Sequence, residues 1–288
     1  MGEIKFGVSP AYYISRFSDN FTPEEMGTSL KDIKALGFSH FQLEVFHPWM
    51  LKDWVKGGVT LVAGFAEKAG LTPSQFVGHF LLHGFITPKA LESSFGTEEM
   101  RSCVEILRPF PDCTVITVVI PTFDCKGVKI DVYHYRWLWD RFAEKIRIMM
   151  DIAGENGKKL ALEVLPGSIL GGLQGILRLT EKIGTGNLGY NFDTGHAWTS
   201  RECIELISPM LAGRIFGTHL KDIDPGESRS LRPGKGAIPW DSLVWSLLSS
   251  EYAGSWDLEI NCDREKTEEE YGRGLEFLKS KLLTPKGE

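Results

Sequence analysis

Short apolar runs alternate along this chain with longer segments of helical periodicity. The apolar runs are rich in β-branched and aromatic residues and predict eight strands. These strands are expected at residues 4–8, 40–45, 75–80, 114–120, 159–164, 188–193, 215–220 and 256–260. Strands that alternate regularly with helices are typical of an α/β domain with a parallel sheet.

The segments between the strands carry recognisable helix signals. Thr22-Pro23-Glu24-Glu25 supplies an N-cap, a proline at the first helical position and a glutamate three residues after the cap. This sequence predicts a helix that begins at residue 23 and ends near Leu36. Further helices are expected at residues 59–69, 97–107, 135–155, 170–183, 200–208, 239–249 and 266–281.

Eight strand-helix units predict an α/β fold, specifically a (β/α)8 TIM barrel. Residues 1–288 are expected to form a single domain. An open doubly wound sheet would bind ligands at one switch point. A closed barrel instead gathers the carboxyl ends of all strands around one mouth, where barrel enzymes place their chemistry.

Composition narrows the possible partners and locations. The 288 residues carry a formal net charge of -6 without a block of lysine or arginine, so no nucleic-acid partner is expected. Five scattered cysteines, an odd number, form no Cys-x-x-Cys pair and are typical of reduced intracellular thiols. The sequence has neither a signal-peptide core nor an apolar run of transmembrane length, which predicts a cytoplasmic protein with no membrane partner.

Residues of the types that bind metals close four of the predicted strands. They are Glu163, Asp193, His219 and Glu259. Each one alone has a structural alternative as a helix cap or a salt-bridge partner. Together they would crowd three carboxylates and an imidazole into one mouth, where a cation or protonation must relieve the repulsion. Such a donor set favours one divalent ion, Mn²⁺ above all, with Mg²⁺, Co²⁺ or Zn²⁺ as alternatives.

Other polar residues lie close to the expected mouth. His79 near strand 3, His196 after strand 6 and Lys221 after strand 7 are candidate substrate contacts. Asp222 is either an outer carboxylate that orients an imidazole or a turn residue. Glu44, which closes strand 2, is either a further group at the mouth or a cap or salt-bridge residue.

Several motifs in the C-terminal half resemble one known superfamily. They are Leu162-Glu163, Asn191-Phe192-Asp193-Thr194-Gly195-His196, Thr218-His219-Leu220-Lys221-Asp222, Gly234-Lys235-Gly236-Ala237-Ile238-Pro239-Trp240 and Leu258-Glu259. These segments are similar to the xylose isomerase-like barrels, a superfamily of sugar isomerases, epimerases and inosose-type dehydratases. The motifs are specific for the superfamily but not for one member.

The resemblance implies roles for the residues that match. Glu163, Asp193, His219 and Glu259 would bind one divalent metal, and His196 would contact substrate oxygens. Glu163 and Glu259 would also transfer protons, one on each face of a ketose or related carbonyl compound. The implied activity is a sugar isomerase or epimerase that removes the proton α to a carbonyl and passes through an enediolate.

Three alternatives remain beside this activity. Dehydration of an inosose or dehydroshikimate type starts with the same deprotonation, and Glu163 is not followed by the second glutamate of typical ketohexose epimerases. A phosphodiesterase of the abasic-site endonuclease type is disfavoured, because strand 4 supplies no histidine and the strand-7 motif reads Asp222-Ile223-Asp224. A non-catalytic barrel that binds a ligand is the third. The expected partner is a small carbohydrate or polyol-derived ketone, and a homo-oligomer is possible.

Overall fold

A computed structural model describes residues 4–211, 213–224 and 229–283 of the chain. Eight strands, β1 to β8, lie within this part of the protein. Their bounds are Lys5–Val8, His40–Glu44, Thr72–Val77, Val115–Ile120, Lys159–Val164, Leu188–Asp193, Ile215–His219 and Ser255–Leu258. All strand pairs in the sheet are parallel, as successive strand-helix units require.

The sheet curls into a barrel. Its strand order is β7-β6-β5-β4-β3-β2-β1-β8. The two end strands then meet at a parallel bridge between Leu220 and Leu258, where Leu220 N donates to Asp257 O at 2.8 Å and Glu259 N donates to Leu220 O at 3.0 Å. The predicted (β/α)8 barrel is therefore confirmed.

Twelve α-helices, α1 to α12, surround the barrel in the described ranges. Their bounds are Ala11–Phe17, Pro23–Ala35, Leu51–Asp53, Val59–Ala69, Pro88–Glu92, Thr97–Ile106, Val132–Glu155, Leu173–Ile183, Thr194–Thr199, Ile204–Met210, Trp240–Ser249 and Thr267–Leu283. Helix α2 begins as predicted, because Thr22 Oγ1 accepts from Glu25 N at 3.2 Å and Glu25 Oε2 accepts from Thr22 N at 2.8 Å. No helix among the described residues is long and apolar enough to cross a membrane.

Helices α1, α3 and α5 were not predicted, and two other elements differ from the sequence prediction. Strand β3 is Thr72–Val77 rather than residues 75–80. Pro73 lies near the start of the strand, where a proline is tolerated, and the chain turns into a 3₁₀ helix at His79–Gly84. The helix expected at residues 200–208 is replaced by two short ones, because α9 starts directly at Thr194 with Asp193 as its N-cap.

The inside of the barrel is unusually polar for a buried region. Gln42, Gln75, Asn191 and Asp257 are fully buried there. Gln42 on β2 bonds to Asp257 on β8, and Gln75 on β3 bonds to Asn191 on β6. These hydrogen bonds join strands that are not neighbours, so polar side chains connect separate strands across the interior of the barrel.

Candidate metal centre

The four predicted ligands meet at the carboxyl end of the barrel. Asp193 and His219 are the last residues of β6 and β7, and they are aligned with each other in the parallel register. Glu163 is the penultimate residue of β5, and Glu259 directly follows β8. The barrel thus brings together four residues that lie far apart in the sequence.

His219 is at the centre of this group. Its Nδ1 atom lies 2.8 Å from Glu259 Oε2, 3.2 Å from Glu163 Oε2 and 3.7 Å from Asp193 Oδ2. One donor atom from each of the four side chains falls within 4.8 Å of all the others. Only Glu259 is partly exposed, and the other three side chains are buried. The arrangement is a compact cluster open on one side.

Opposite charges keep the cluster ionised despite its burial. Burial opposes ionisation of Glu259, but Lys221 and His219 outweigh it and lower the pKa of Glu259 to about 2. Burial likewise opposes the charge on Asp193, while His196 and Lys221 lower its pKa to about 2. Burial also disfavours a charged His219, yet Glu163 and Glu259 hold its pKa well above the usual range.

The donor set fits a divalent cation. His219 Nδ1 and Asp193 Oδ2 are buried and make no hydrogen bond of regular geometry, although a charged side chain lies 2.8 Å from each of them. Buried polar atoms without well-formed hydrogen bonds call for an explanation such as a bound ion. Three carboxylates and one imidazole that converge on such atoms match the oxygen-rich sets of Mn²⁺ or Mg²⁺, and an imidazole-containing set also admits Co²⁺ or Zn²⁺.

Lys221 is part of this cluster. Its ammonium lies 2.8 Å from Asp193 Oδ2 and 2.7 Å from Glu259 Oε1, and only 3% of its side chain is exposed. Burial opposes its charge, but Asp193 and Glu259 raise its pKa. Lys221, predicted to contact substrate, therefore contacts two candidate metal ligands directly.

His196 faces the open side of the cluster. It lies in α9, where its backbone N donates to Asp193 Oδ1 at 2.8 Å. Its Nε2 is 3.5 Å from both Glu163 Oε1 and Asp193 Oδ2, and a quarter of its side chain is exposed. An imidazole in this position can reach both the carboxylates and a molecule in the mouth.

Two further side chains form a wall near the cluster. His79 stacks on Phe46 with ring centroids 3.9 Å apart, and burial lowers the pKa of His79 to about 4. Glu44 is buried at the end of β2 with an unpartnered Oε2, and no salt bridge to a described residue holds it. Burial raises the pKa of Glu44 well above its usual range, although His219 opposes the shift. Burial thus favours the neutral form of both side chains, which suits them to hydrogen-bond a polar molecule.

Asp222 was predicted either to orient an imidazole or to serve as a turn residue. Its carboxylate accepts hydrogen bonds from Gly234 N, Ile238 N and Trp240 Nε1 at 2.7 to 3.1 Å. It does not orient the ring of His219, whose Nε2 lies 2.8 Å from Gln42 Oε1. Asp222 holds the long loop after β7, in line with the alternative interpretation as a turn residue.

Sequence reasoning missed the layer of polar residues below the cluster. Asn191 Nδ2 donates to Glu163 Oε2 at 3.3 Å, and Gln42 contacts His219. A signal for this layer was present, because residues two apart in a strand share one face. Asn191 precedes Asp193 by two positions, Asp257 precedes Glu259 and Gln42 precedes Glu44.

Comparison with known proteins agrees with this geometry. Residues 30–281 match the family described as xylose isomerase-like TIM barrel. The fold is similar to that of 3-keto-D-glucoside 4-epimerase from E. coli, at 17% identity and a TM-score of 0.76 over 96% of this chain and 100% of that one. It is also similar to the IolI protein with a bound zinc atom, at 15% identity and a TM-score of 0.75 over 98% of this chain and 100% of that one. D-psicose 3-epimerase from Clostridium cellulolyticum H10 is 17% identical, with a TM-score of 0.74 over 97% of this chain and 99% of that one.

Proposed function

Since this chain belongs to the xylose isomerase-like TIM-barrel family, we propose that it is a divalent-metal-dependent sugar isomerase or epimerase. The observation that carries the proposal is the convergence of Glu163, Asp193, His219 and Glu259, each with one donor atom within 4.8 Å of the others. Epimerases among the proteins of similar fold support the same class of chemistry. The proposed substrate is a small carbohydrate or a polyol-derived ketone.

Glu163, Asp193, His219 and Glu259 would hold one metal ion, with Mn²⁺ proposed and Mg²⁺, Co²⁺ or Zn²⁺ as alternatives. A bound divalent ion would polarise a carbonyl and stabilise the negative charge that develops on its oxygen. Lys221 would keep Glu259 and Asp193 in place through its two ion pairs. His196, and His79 further out, would hydrogen-bond hydroxyl groups of the substrate.

Glu163 and Glu259 are the proposed proton-transfer groups. They enter the site from β5 and β8, on either side of the β6–β7 pair, so their carboxylates approach a bound molecule from different sides. With lowered pKa values both are ionised at neutral pH and ready to accept a proton. One carboxylate would take the proton α to the carbonyl to give an enediolate. Return of a proton to the opposite face of that carbon gives epimerisation, and return to the adjacent carbon gives isomerisation.

A dehydratase is the second candidate, and one sequence feature favours it. The residues after Glu163 are Val164-Leu165-Pro166, so the further glutamate typical of ketohexose epimerases is missing. An enediolate that is not reprotonated at carbon can instead lose its β-hydroxyl group, which leaves as water with the proton that the carboxylate base had removed. The same deprotonation would then lead to an unsaturated product.

The experiment that tests the proposal is hydrogen exchange in deuterated water. The Mn²⁺-loaded protein is incubated with ketoses, aldoses, hydroxypyruvate and inososes. The protein is then removed, and the products are analysed by NMR. Deuterium is expected at the carbon α to the carbonyl. Addition of a chelator should abolish this incorporation, and so should either of the substitutions Glu163→Gln and Glu259→Gln. Glu202→Gln is the control, because Glu202 caps α8 through Leu173 N and lies outside the cluster.

Three outcomes separate the candidates. Exchange with a rearranged sugar supports the isomerase or epimerase, and exchange with loss of water supports the dehydratase. Cleavage of abasic DNA, without hydrogen exchange on any carbonyl compound, would instead support a phosphodiesterase of the abasic-site endonuclease type. Exchange that persists in both glutamine variants would contradict the assigned proton-transfer groups.

A further inference from the structure

The imidazole of His219 is held from below by a chain of buried polar groups. His219 Nε2 lies 2.8 Å from Gln42 Oε1, and Gln42 Nε2 lies 2.7 Å from Asp257 Oδ2. Gln42 and Asp257 are fully buried, and His219 is 3% exposed. The chain crosses the barrel interior from β7 to β2 and on to β8, directly beneath the candidate metal ligands.

The far end of this chain determines which way the Gln42 amide points. Gln42 Nε2 also lies 3.3 Å from the backbone carbonyl oxygen of Thr218. A carbonyl oxygen can only accept hydrogen bonds, so the atom of Gln42 that faces it must be the NH₂ group. Asp257 Oδ2 accepts from the same NH₂ group. The oxygen of the amide is therefore left to face His219.

The amide orientation in turn fixes the hydrogen on the imidazole. Since Gln42 Oε1 is an acceptor, His219 Nε2 must carry a hydrogen and donate it. A neutral imidazole with its hydrogen on Nε2 has its lone pair on Nδ1. Nδ1 is the atom that faces the carboxylate cluster, 2.8 Å from Glu259 Oε2 and 3.2 Å from Glu163 Oε2.

Asp257 is itself firmly held. Ser74 Oγ donates to Asp257 Oδ2 at 2.8 Å, and Ser255 Oγ donates to Asp257 Oδ1 at 2.5 Å. Gly7 makes room for this carboxylate, because a Cβ atom at position 7 would lie 2.0 Å from Asp257 Oδ1. Several elements thus place the acceptor that orients Gln42.

We infer that Gln42, anchored by Asp257 and the Thr218 carbonyl, is a positioning residue that presents Nδ1 of His219 to the metal. The inference rests on the proposed metal site and adds to it the ligating atom and the residue that selects it. Outer groups that orient a ligating histidine commonly change metal affinity by about 10- to 100-fold when they are removed. Here the carboxylate of Asp257 orients the amide of Gln42, and this amide orients the imidazole of His219.

Gln42→Met tests the inference, because methionine has a similar length and lacks both the acceptor and the NH₂ group. Its affinity for Zn²⁺, measured by competition with a chelating dye, is expected to fall by about 10- to 100-fold. Asn187→Leu is the control. The side-chain amide of Asn187 donates to the backbone carbonyls of Met150 and Lys158 just before β6 begins, at the end of the barrel away from His219. The control should destabilise the barrel and leave Zn²⁺ affinity unchanged.

The second readout is the hydrogen position on His219. Long-range ¹H–¹⁵N spectra of histidine-labelled, Zn²⁺-loaded protein should show Nδ1 bound to metal and a hydrogen on Nε2, with His219→Asn used for assignment. Metal on Nε2 in the unmodified protein would overturn the inference, even if Gln42→Met fails to fold. Equal Zn²⁺ affinity of Gln42→Met and the unmodified protein would also overturn it while leaving the proposed function intact. If the unmodified protein binds no divalent ion, both proposals fail.

Discussion

At the scale of single residues, Lys221 strongly affects the charge of the site. Three carboxylates share the cluster with His219, and the ammonium of Lys221 neutralises part of their charge through Asp193 and Glu259. A buried ion pair that loses one partner leaves the other charge uncompensated. Lys221 therefore stabilises the protein before a metal binds and lowers the negative potential that a metal would meet.

Lys221→Met should reveal both effects. We expect the free energy of unfolding of the metal-free protein to fall by about 3 kcal/mol. Mn²⁺ affinity should rise by about tenfold, because one competing positive charge is removed from the carboxylates. Chemical denaturation with and without Mn²⁺ measures both quantities.

Lys145→Met is the control for this experiment. Lys145 is also a buried lysine, but its ammonium donates to the backbone carbonyls of Gly84 and Ala90, away from the cluster. This variant should lose stability without a change in Mn²⁺ affinity. If Lys221→Met binds Mn²⁺ no more tightly than the unmodified protein, the proposed electrostatic competition does not exist.

At the scale of the strands, glycines make space for the polar side chains inside the barrel. A Cβ atom at Gly217 in β7 would lie 2.5 Å from both Gln75 Oε1 and Asn191 Oδ1. These two amides are buried and hydrogen-bonded to each other, so they cannot move apart without losing that bond. Gly217 is therefore needed because a side chain would not fit at this position, and not because the chain turns there.

Gly217→Ala should lower the free energy of unfolding by about 1–3 kcal/mol, the usual effect of overpacking a filled interior. Gly64→Ala is the matched control in helix α4, where an added Cβ would meet no atom within 4 Å. Alanine in an open helical position should stabilise the protein by about 0.5–1 kcal/mol. Urea denaturation of both variants gives the comparison, and equal signs would contradict the packing argument.

The strands themselves were largely predictable, and the exceptions have local causes. Strands β5 and β6 lie at the predicted bounds, because each is a continuous buried run with a polar residue near its end. Strand β3 lay earlier than predicted, since Pro73 and the polar pair Ser74-Gln75 hide a strand whose inner face is hydrogen-bonded rather than apolar. Helix α9 was missed because Asp193 serves both as a strand end and as a helix cap.

At the scale of the whole molecule, the order of strands and helices made the location of the site predictable. The contacts of its individual side chains could not be predicted in the same way. Regular alternation implied a closed barrel, and a closed barrel places Glu163, Asp193, His219 and Glu259 together. Which side chains contact each other depends on distances across the barrel, and the spacing of apolar and polar residues in the sequence does not give these distances. Asp222 was therefore one candidate for the group that orients an imidazole, whereas Gln42, 177 positions before His219 in the chain, contacts that ring.

The central claim is that one divalent ion binds between Glu163, Asp193, His219 and Glu259. Anomalous X-ray scattering from crystals of the Mn²⁺-loaded protein, recorded near the manganese absorption edge, tests it most directly. The claim predicts one strong peak at the mouth of the barrel, in contact with His219 Nδ1 and an oxygen of each carboxylate. A map without a peak at this cluster, or with the ion bound only elsewhere, would contradict it.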